Sequence, residues 1–375
     1  MRWVADRGGT VPVRIALLSV AGLIAVGIIA VAIPGHTSRL AHPMRTTVVA
    51  PDGLPQAVGT IARAKMAATP SSSNKATGAS SKSSSTSSAQ PPVEHGCGAN
   101  PHVCGFPDDT NTGVPAGMKL LSVPAQISSG KGWYFDSRGW VEVNGNNAVL
   151  SGLYIPYNVD ITASNVTIVD DEIETTGNGF GVSLRNTSNV TISHSSIFSP
   201  DGSGANRLQV GIKDIYSDSS NTTVEYDNIW HTSTGIQLSE GLIMDSYIHD
   251  PGYMSGDHID GIASDAGDSA GLTIEHNTVL DPQGQTTAIG LFEDFGTQFD
   301  CLVEGNLLAG GGYVVYAGAN PGGAQPSNIV IINNRFSRIY YPNGGYYGPD
   351  TDVDAGVSGN VWSGNFWDDN GKPVN

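Results

Sequence analysis

The residues best suited to chemistry lie between His249 and Asp294. The stretch holds His249, Asp250, Asp257, His258, Asp260, Asp265 and Asp268, followed by Glu293 and Asp294. Hydrolysis of a glycosidic bond needs two carboxyl groups. One carries a proton to the leaving oxygen, and the other activates water or attacks the sugar. Asp257 or Asp260 with Glu293 or Asp294 is the candidate set, and His258 is a candidate base or carboxylate-orienting group. Asp257, Asp260 and Glu293 are also hard oxygen ligands of the kind calcium takes. A calcium-dependent lyase would add a strong base, Lys213 or His258, to remove a proton beside a uronate carboxyl. A third reading is a non-catalytic surface protein whose groove only binds glycan or serves structure. Aspartate is common in turns through its own local hydrogen bonds, so no single member of the set is diagnostic.

A repeated phrase has to position these groups. Asn-Val-Thr-Ile stands at 165–168 and again at 189–192, with altered copies at 221–224 and 328–331. Each copy ends on an apolar residue and has a second one five positions on. The pairs are Ile168/Ile173, Ile192/Ile197, Val224/Ile229, Ile243/Ile248, Ile274/Val279, Val303/Leu308, Ile331/Phe336 and Val361/Phe366. Their first members are 24, 32, 19, 31, 29, 28 and 30 residues apart, a fixed pattern with variable insertions that marks a solenoid. A unit this short cannot bury its own apolar face, but stacked copies share a continuous core. Polar residues follow the phrase, among them Asp170, Asp171, Asn228, Asn277, Asn306 and Asn334. Strand, polar corner, strand is the turn of a single-chain parallel β-helix, all-β in class.

A second file falls between the copies: Gly181-Val182, Gly211-Ile212, Gly235-Ile236, Gly261-Ile262 and Ala288-Ile289. Strand alternation puts the β-branched residues inside and Ser183, Lys213, Gln237, Ala263 and Gly290 outside. Asp260 and Glu293/Asp294 then fall on neighbouring coils. Lys213, Gln237 and Asp265 border them as candidate substrate-binding residues. The small Ala263 and Gly290 positions offer room for a sugar ring. Tyr340, Tyr341, Tyr346 and Tyr347 follow in a Gly-rich loop, where Tyr346 and Tyr347 are candidate stacking platforms. A groove along stacked coils suits a polymer, so a polysaccharide or cell-surface glycan is the expected partner.

Charge excludes one class. Residues 94–375 carry 9 Lys and Arg against 33 Asp and Glu, and a surface that acidic repels a nucleic-acid backbone. Residues 1–14 form a basic segment with Arg2, Arg7 and Arg14. Residues 15–33 are uncharged and mostly apolar, long enough to span a bilayer. Basic residues before such a run favour an inside N-terminus, with the rest of the chain outside. The run reads as a membrane anchor or an export signal. Residues 34–93 form a Ser/Ala-rich tether too poor in apolar area to pack, and residues 94–375 form the expected β-helix domain. Cys97 and Cys104 are expected to close a small disulfide loop in an oxidising, extracellular setting. Cys301 occupies an inward position as a buried thiol.

The Asn-Val-Thr-Ile coils, Asn-rich turns and export segment resemble the right-handed parallel β-helix superfamily of pectate-lyase and polygalacturonase type. The opening Gly105-Phe-Pro-Asp-Asp-Thr-Asn-Thr-Gly-Val-Pro-Ala-Gly117 is similar to the start of secreted actinobacterial β-helix repeat proteins. The resemblance covers roughly residues 105–370 and implies the fold and a carbohydrate-directed role. It spans lyases, hydrolases, epimerases and adhesins. Gly256-Asp257-His258-Ile259-Asp260-Gly261 resembles the polygalacturonase aspartate cluster, while that family's Gly-His-Gly and Arg-Ile-Lys segments are missing.

Overall fold

A computed structural model describes residues 96–266, 271–318 and 325–375. The basic segment, the apolar run 15–33, the tether 34–93 and Asp268 lie outside the described residues. Among the described residues no helix is long and apolar enough to cross a membrane.

The chain winds as a right-handed parallel β-helix. A typical turn places one strand in each of three sheets, where it pairs with the strands of adjacent turns. The first sheet carries the repeated phrase. Ile168, Ile192, Val224, Ile243, Ile274, Val303 and Ile331 stand opposite one another across it. Five residues on, Ile173, Ile197, Ile229, Ile248, Val279, Leu308 and Phe336 form the matching file of the second sheet. Both files are buried. β-Branched side chains suit the pleated, close-packed interior, where parallel strands are covered.

The structure changes both ends of this repeat. Leu150/Ile155 precedes the first expected pair, aligned with Ile168 and Ile173. At the far end the pair is Trp362/Trp367 rather than Val361/Phe366, because Ile331 faces Trp362 and Phe336 faces Trp367. A shift of one residue exchanges the two faces of a strand. Both tryptophan rings pack on Phe336 and help cover the last coil, while Val361 is exposed.

Ile274→Asp is expected to destabilise the domain by several kcal/mol, since it puts an unpaired charge into this file. Glu275→Gln, on an exposed neighbour, is the control. Equal denaturant midpoints for the two variants would contradict the register.

The corner between the first two sheets is tight. Its turning residue is left-handed in successive coils: Asp170, His194, Tyr226, Asp245, His276, Gly305 and Asn333. The next residue points inward and forms a polar ladder. Asp171 Oδ1 accepts from Leu153 N at 2.7 Å, and Asp227 Oδ1 accepts from Ser195 N at 2.7 Å. Asn277, Asn306, Asn334 and Asn365 accept in the same way from the preceding coil. Asn228 is not the ladder residue of its coil; Asp227 is. A second, exposed ladder joins the Asn residues of the repeated phrase. Asn189 Nδ2 donates to Asn165 at 2.9 Å, and Asn221 Nδ2 donates to Asn189 at 2.6 Å.

The third sheet contains Gly177–Leu184, Leu208–Asp214, Thr232–Gln237, Asp260–Ser264, Thr287–Leu291 and Tyr313–Tyr316. Val182, Ile212, Ile236, Ile262 and Ile289 form its inward file. Strict alternation breaks one residue earlier. A Cβ on Gly181, Gly211, Gly235 or Gly261 would meet the core side chains Ile197, Ile229, Ile248 or Val279 at 2.2–3.0 Å. Glycine is required there by space. Glycine and its apolar successor both face inward, so the residue before the glycine turns out.

The stretches that precede the coils are tied to them. Trp133–Phe135 pairs antiparallel with Ser129–Gly130 and Trp140–Val143, and Trp133 is buried over the first coils. Residues 96–122 run as a strap from the last coil to the first. Gly98 N donates to Asp368 at 2.8 Å, Phe106 stacks on His276, Gly113 N donates to Tyr226 O, and Leu121 pairs with Leu153. The Cys97–Cys104 disulfide closes the strap's beginning. Cys301 is free and buried, and burial pushes its thiol up to about 12.

Candidate active site

The outward residues of the third sheet build a cleft of about 510 Å³. One file is Phe180, Val210, Thr234, Asp260; the other is Ser183, Lys213, Gln237, Ala263, of which Ser183 and Ala263 are buried and do not line the cleft, so Ala263 offers no open space for a sugar. Gly256, Asp257 and His258 form one wall, and Phe292, Asp294 and Phe295 line another part.

Asp260 sits at the base with only 6% of its surface exposed. Thr234 Oγ1 lies 3.5 Å from its Oδ2, and Oδ1 has no hydrogen-bond partner. Burial, followed by the charge of Asp265, pushes this carboxyl up to about 7, and Asp294 adds to the effect. Asp260 therefore keeps a large protonated fraction at neutral pH. Asp294 is solvent-facing. Asp265 is raised by burial and by Asp294, against the opposing charge of Lys213. Lys213 Nζ donates to Gln237 Oε1, and Gln237 Nε2 donates to Asp265, linking three coils. Burial pushes Lys213 down, against the charges of Asp265 and Asp214.

Asp257 sits in a different environment from Asp260. The buried Arg207 grips it through Nε at 2.7 Å and Nη2 at 2.8 Å, and Ser233 Oγ adds a bond at 2.7 Å. Burial works to raise this carboxyl, but the bonds from Arg207, Ser233 and Met254 N outweigh it and hold the group below its usual range. Asp257 is ionised and committed, which makes it a poor proton donor. The guanidinium also reaches Asn178 Oδ1 at 2.7 Å, fixing the cleft wall to earlier coils.

Asp257, His258, Asp260, Asp294, Lys213, Gln237 and Asp265 thus line one cleft. Glu293 does not line it; burial raises its carboxyl, which accepts from Gln298 N at 3.1 Å. Tyr346 and Tyr347 stand outside it, on the loop before the next strand of the sheet. Gly290 gives no open space, because the Phe292 ring lies where its side chain would extend. Of the three candidate calcium ligands, Asp257 and Asp260 line the cleft and Glu293 does not, and among the described residues no three or more His, Cys, Asp or Glu are grouped to hold a metal ion. Arg207, Phe180 and Phe292 are additions. Phe180 holds the place before Val182 that Asp260 holds before Ile262, a position that strict alternation would turn inward. Arg207 is 50 residues from Asp257, and nothing local pairs them.

Residues 131–306 match a family model described as the right handed beta helix region. Among solved structures, the "Crystal structure of Agl-KA catalytic domain" is similar at 14% identity and a TM-score of 0.36, covering 60% of this chain. This chain spans about half of that one, 47%. No curated protein matches the chain. The family match takes in the coils that carry the cleft, and over them the chain is similar to right-handed β-helix proteins in sequence as well as in fold.

Proposed function

We propose that the chain is an extracellular glycoside hydrolase acting on a polysaccharide, with Asp260 as general acid and Asp294 as the second carboxylate. The carrying observation is a buried carboxyl with one oxygen unpartnered, pushed up to about 7, in a cleft bearing other carboxyl groups. Asp260 would protonate the glycosidic oxygen as the bond to the sugar breaks. Asp294, facing solvent, would activate water or attack the sugar. Asp265 would keep Asp260 protonated through its charge, and Lys213–Gln237 would hold Asp265 in place. Arg207 would neutralise Asp257 and fix the wall. The disulfide and the apolar run 15–33 support an extracellular location, anchored or secreted.

A lyase is the second reading, favoured by one observation: Lys213 is partly buried in the cleft with a lowered pKa, as a base for proton abstraction requires. A product assay separates the two. New reducing ends without unsaturated uronates are expected. Unsaturated uronate products, lost on chelation and restored by calcium, would replace hydrolysis with elimination. Glycan binding without any product would leave a binding protein.

A further inference from the structure

The outer face of the third sheet continues beyond the cleft. Asp260 is followed across the coils by Thr287 and Tyr313, and Ala263 by Gly290 and Tyr316. From Phe292, ring contacts lead to Tyr316 at 5.7 Å, Tyr313 at 5.5 Å, Tyr347 at 5.5 Å and Tyr346 at 4.9 Å between centroids. Tyr346 packs beside Gly284 and Tyr347 beside Gly312, yet the two remain 59% and 64% exposed. A connected aromatic patch of this kind on a solvent face marks a binding surface. Adjacent coils lie about 4.8 Å apart, close to the length of one sugar in an extended chain. Thr287 and Gly290 are themselves buried, with the Phe292 ring over Gly290, so a polymer leaving the cleft along the sheet would meet Phe292 and then the tyrosines of the following coils.

We infer that this aromatic track extends the cleft as distal subsites for a neutral polysaccharide, whose sugar faces pack on the tyrosine rings. The inference rests on the glycan reading of the cleft and adds the substrate class and the path of the chain. Aromatic rings bury the apolar C–H face of a pyranose while their hydroxyls remain in water. Charge selects the neutral class. Asp260, Asp265 and Asp294 line the cleft, and Lys213 is already bonded to Gln237. A polyuronate would bring its carboxylates against these acids, whereas a neutral chain meets no such repulsion.

The test is affinity gel electrophoresis of the full chain in gels containing mixed-linkage β-glucan, glucomannan, galactan, dextran or polygalacturonate. The parent should be retarded by at least one neutral polymer and not by polygalacturonate. The double variant Y346A/Y347A should bind that polymer about tenfold or more weakly, while Y347F, which keeps the ring, should bind like the parent. These rings are exposed, so the fold should be unaffected, and circular dichroism checks this. Equal retardation of parent and Y346A/Y347A overturns the track. So does preference for polygalacturonate, or no retardation by any neutral polymer. Turnover separates this inference from hydrolysis. Tyrosine-dependent retardation without product keeps the track and removes the hydrolase. Product formation with retardation unaffected by Y346A/Y347A does the reverse.

Discussion

Asp260→Asn is expected to lower turnover by roughly 10²–10⁴-fold while the variant still folds and binds polymer like the parent. The amide fills nearly the same volume but cannot deliver a proton to a departing oxygen. Binding along the cleft and track draws on many positions, so removal of one proton donor should lower kcat far more than it raises KM. The pH profile adds a sharper readout. If Asp260 is the acid, kcat/KM of the parent should fall as pH rises through about 7. Asp265→Asn removes a nearby negative charge that raises Asp260, so the alkaline limb should move to lower pH. Unchanged turnover in D260N, measured on folded protein, would remove Asp260 from the chemistry and direct the search to Asp294 and His258. An alkaline limb unmoved in D265N would show that Asp265 does not tune the acid.

The interior was more legible than the cleft because packing imposes the same demand on every coil. Ile192, Ile243 and Ile274 all occupy one inward file, and the sequence repeats accordingly. Where that demand changes, the pattern weakens. Trp362 and Trp367 help close the last coil, and the inward register there falls one residue beyond the expected Val361 and Phe366. Leu150/Ile155 lies in a coil without the Asn-Val-Thr-Ile phrase. The outward side of the third sheet follows from the glycine file. Gly261 faces Val279, so Asp260 points out where simple alternation from Ile262 would turn it in. Long-range partners were not legible. Asp257 looked like Asp260 in sequence, and only the fold brings Arg207 to it. Glu293 and Asp294 are adjacent in sequence, but only Asp294 lines the cleft. Tyr346 and Tyr347 were visible as a Tyr-rich loop, whereas their continuity with Phe292 depends on three turns of the solenoid.

Asp171→Asn is expected to stabilise the protein at neutral pH, with a gain that disappears in acid. In the inner ladder, the Asn277 amide donates to Ile243 O at 2.9 Å and Glu275 O at 3.1 Å. Asp171 holds the corresponding place in its own coil, where its Oδ1 accepts from Leu153 N. A carboxylate has no proton to offer, and its other oxygen, Oδ2, is buried without a hydrogen-bond partner. Burial pushes Asp171 up to about 8, against the opposing bond from Leu153 N. Asp227, two coils on, is raised well above its ordinary value by the same cause. The sign follows from proton binding. Between the ordinary carboxylate pKa near 4 and about 8, folded Asp171 holds a proton that the unfolded chain has released. Its contribution to stability therefore falls as pH rises through that window and is level above it. At pH 7 the difference is on the order of 4 kcal/mol, and Asn avoids it because its amide supplies the donor at every pH. Urea unfolding of parent and D171N at pH 4, 6 and 8 provides the measurement. The two midpoints should nearly coincide at pH 4 and diverge in favour of D171N up to pH 8. A constant difference across this range would show that Asp171 is ionised in the folded ladder, or that the substitution acts through packing alone. D171N and D227N share the ladder through Ser195, so their gains need not add.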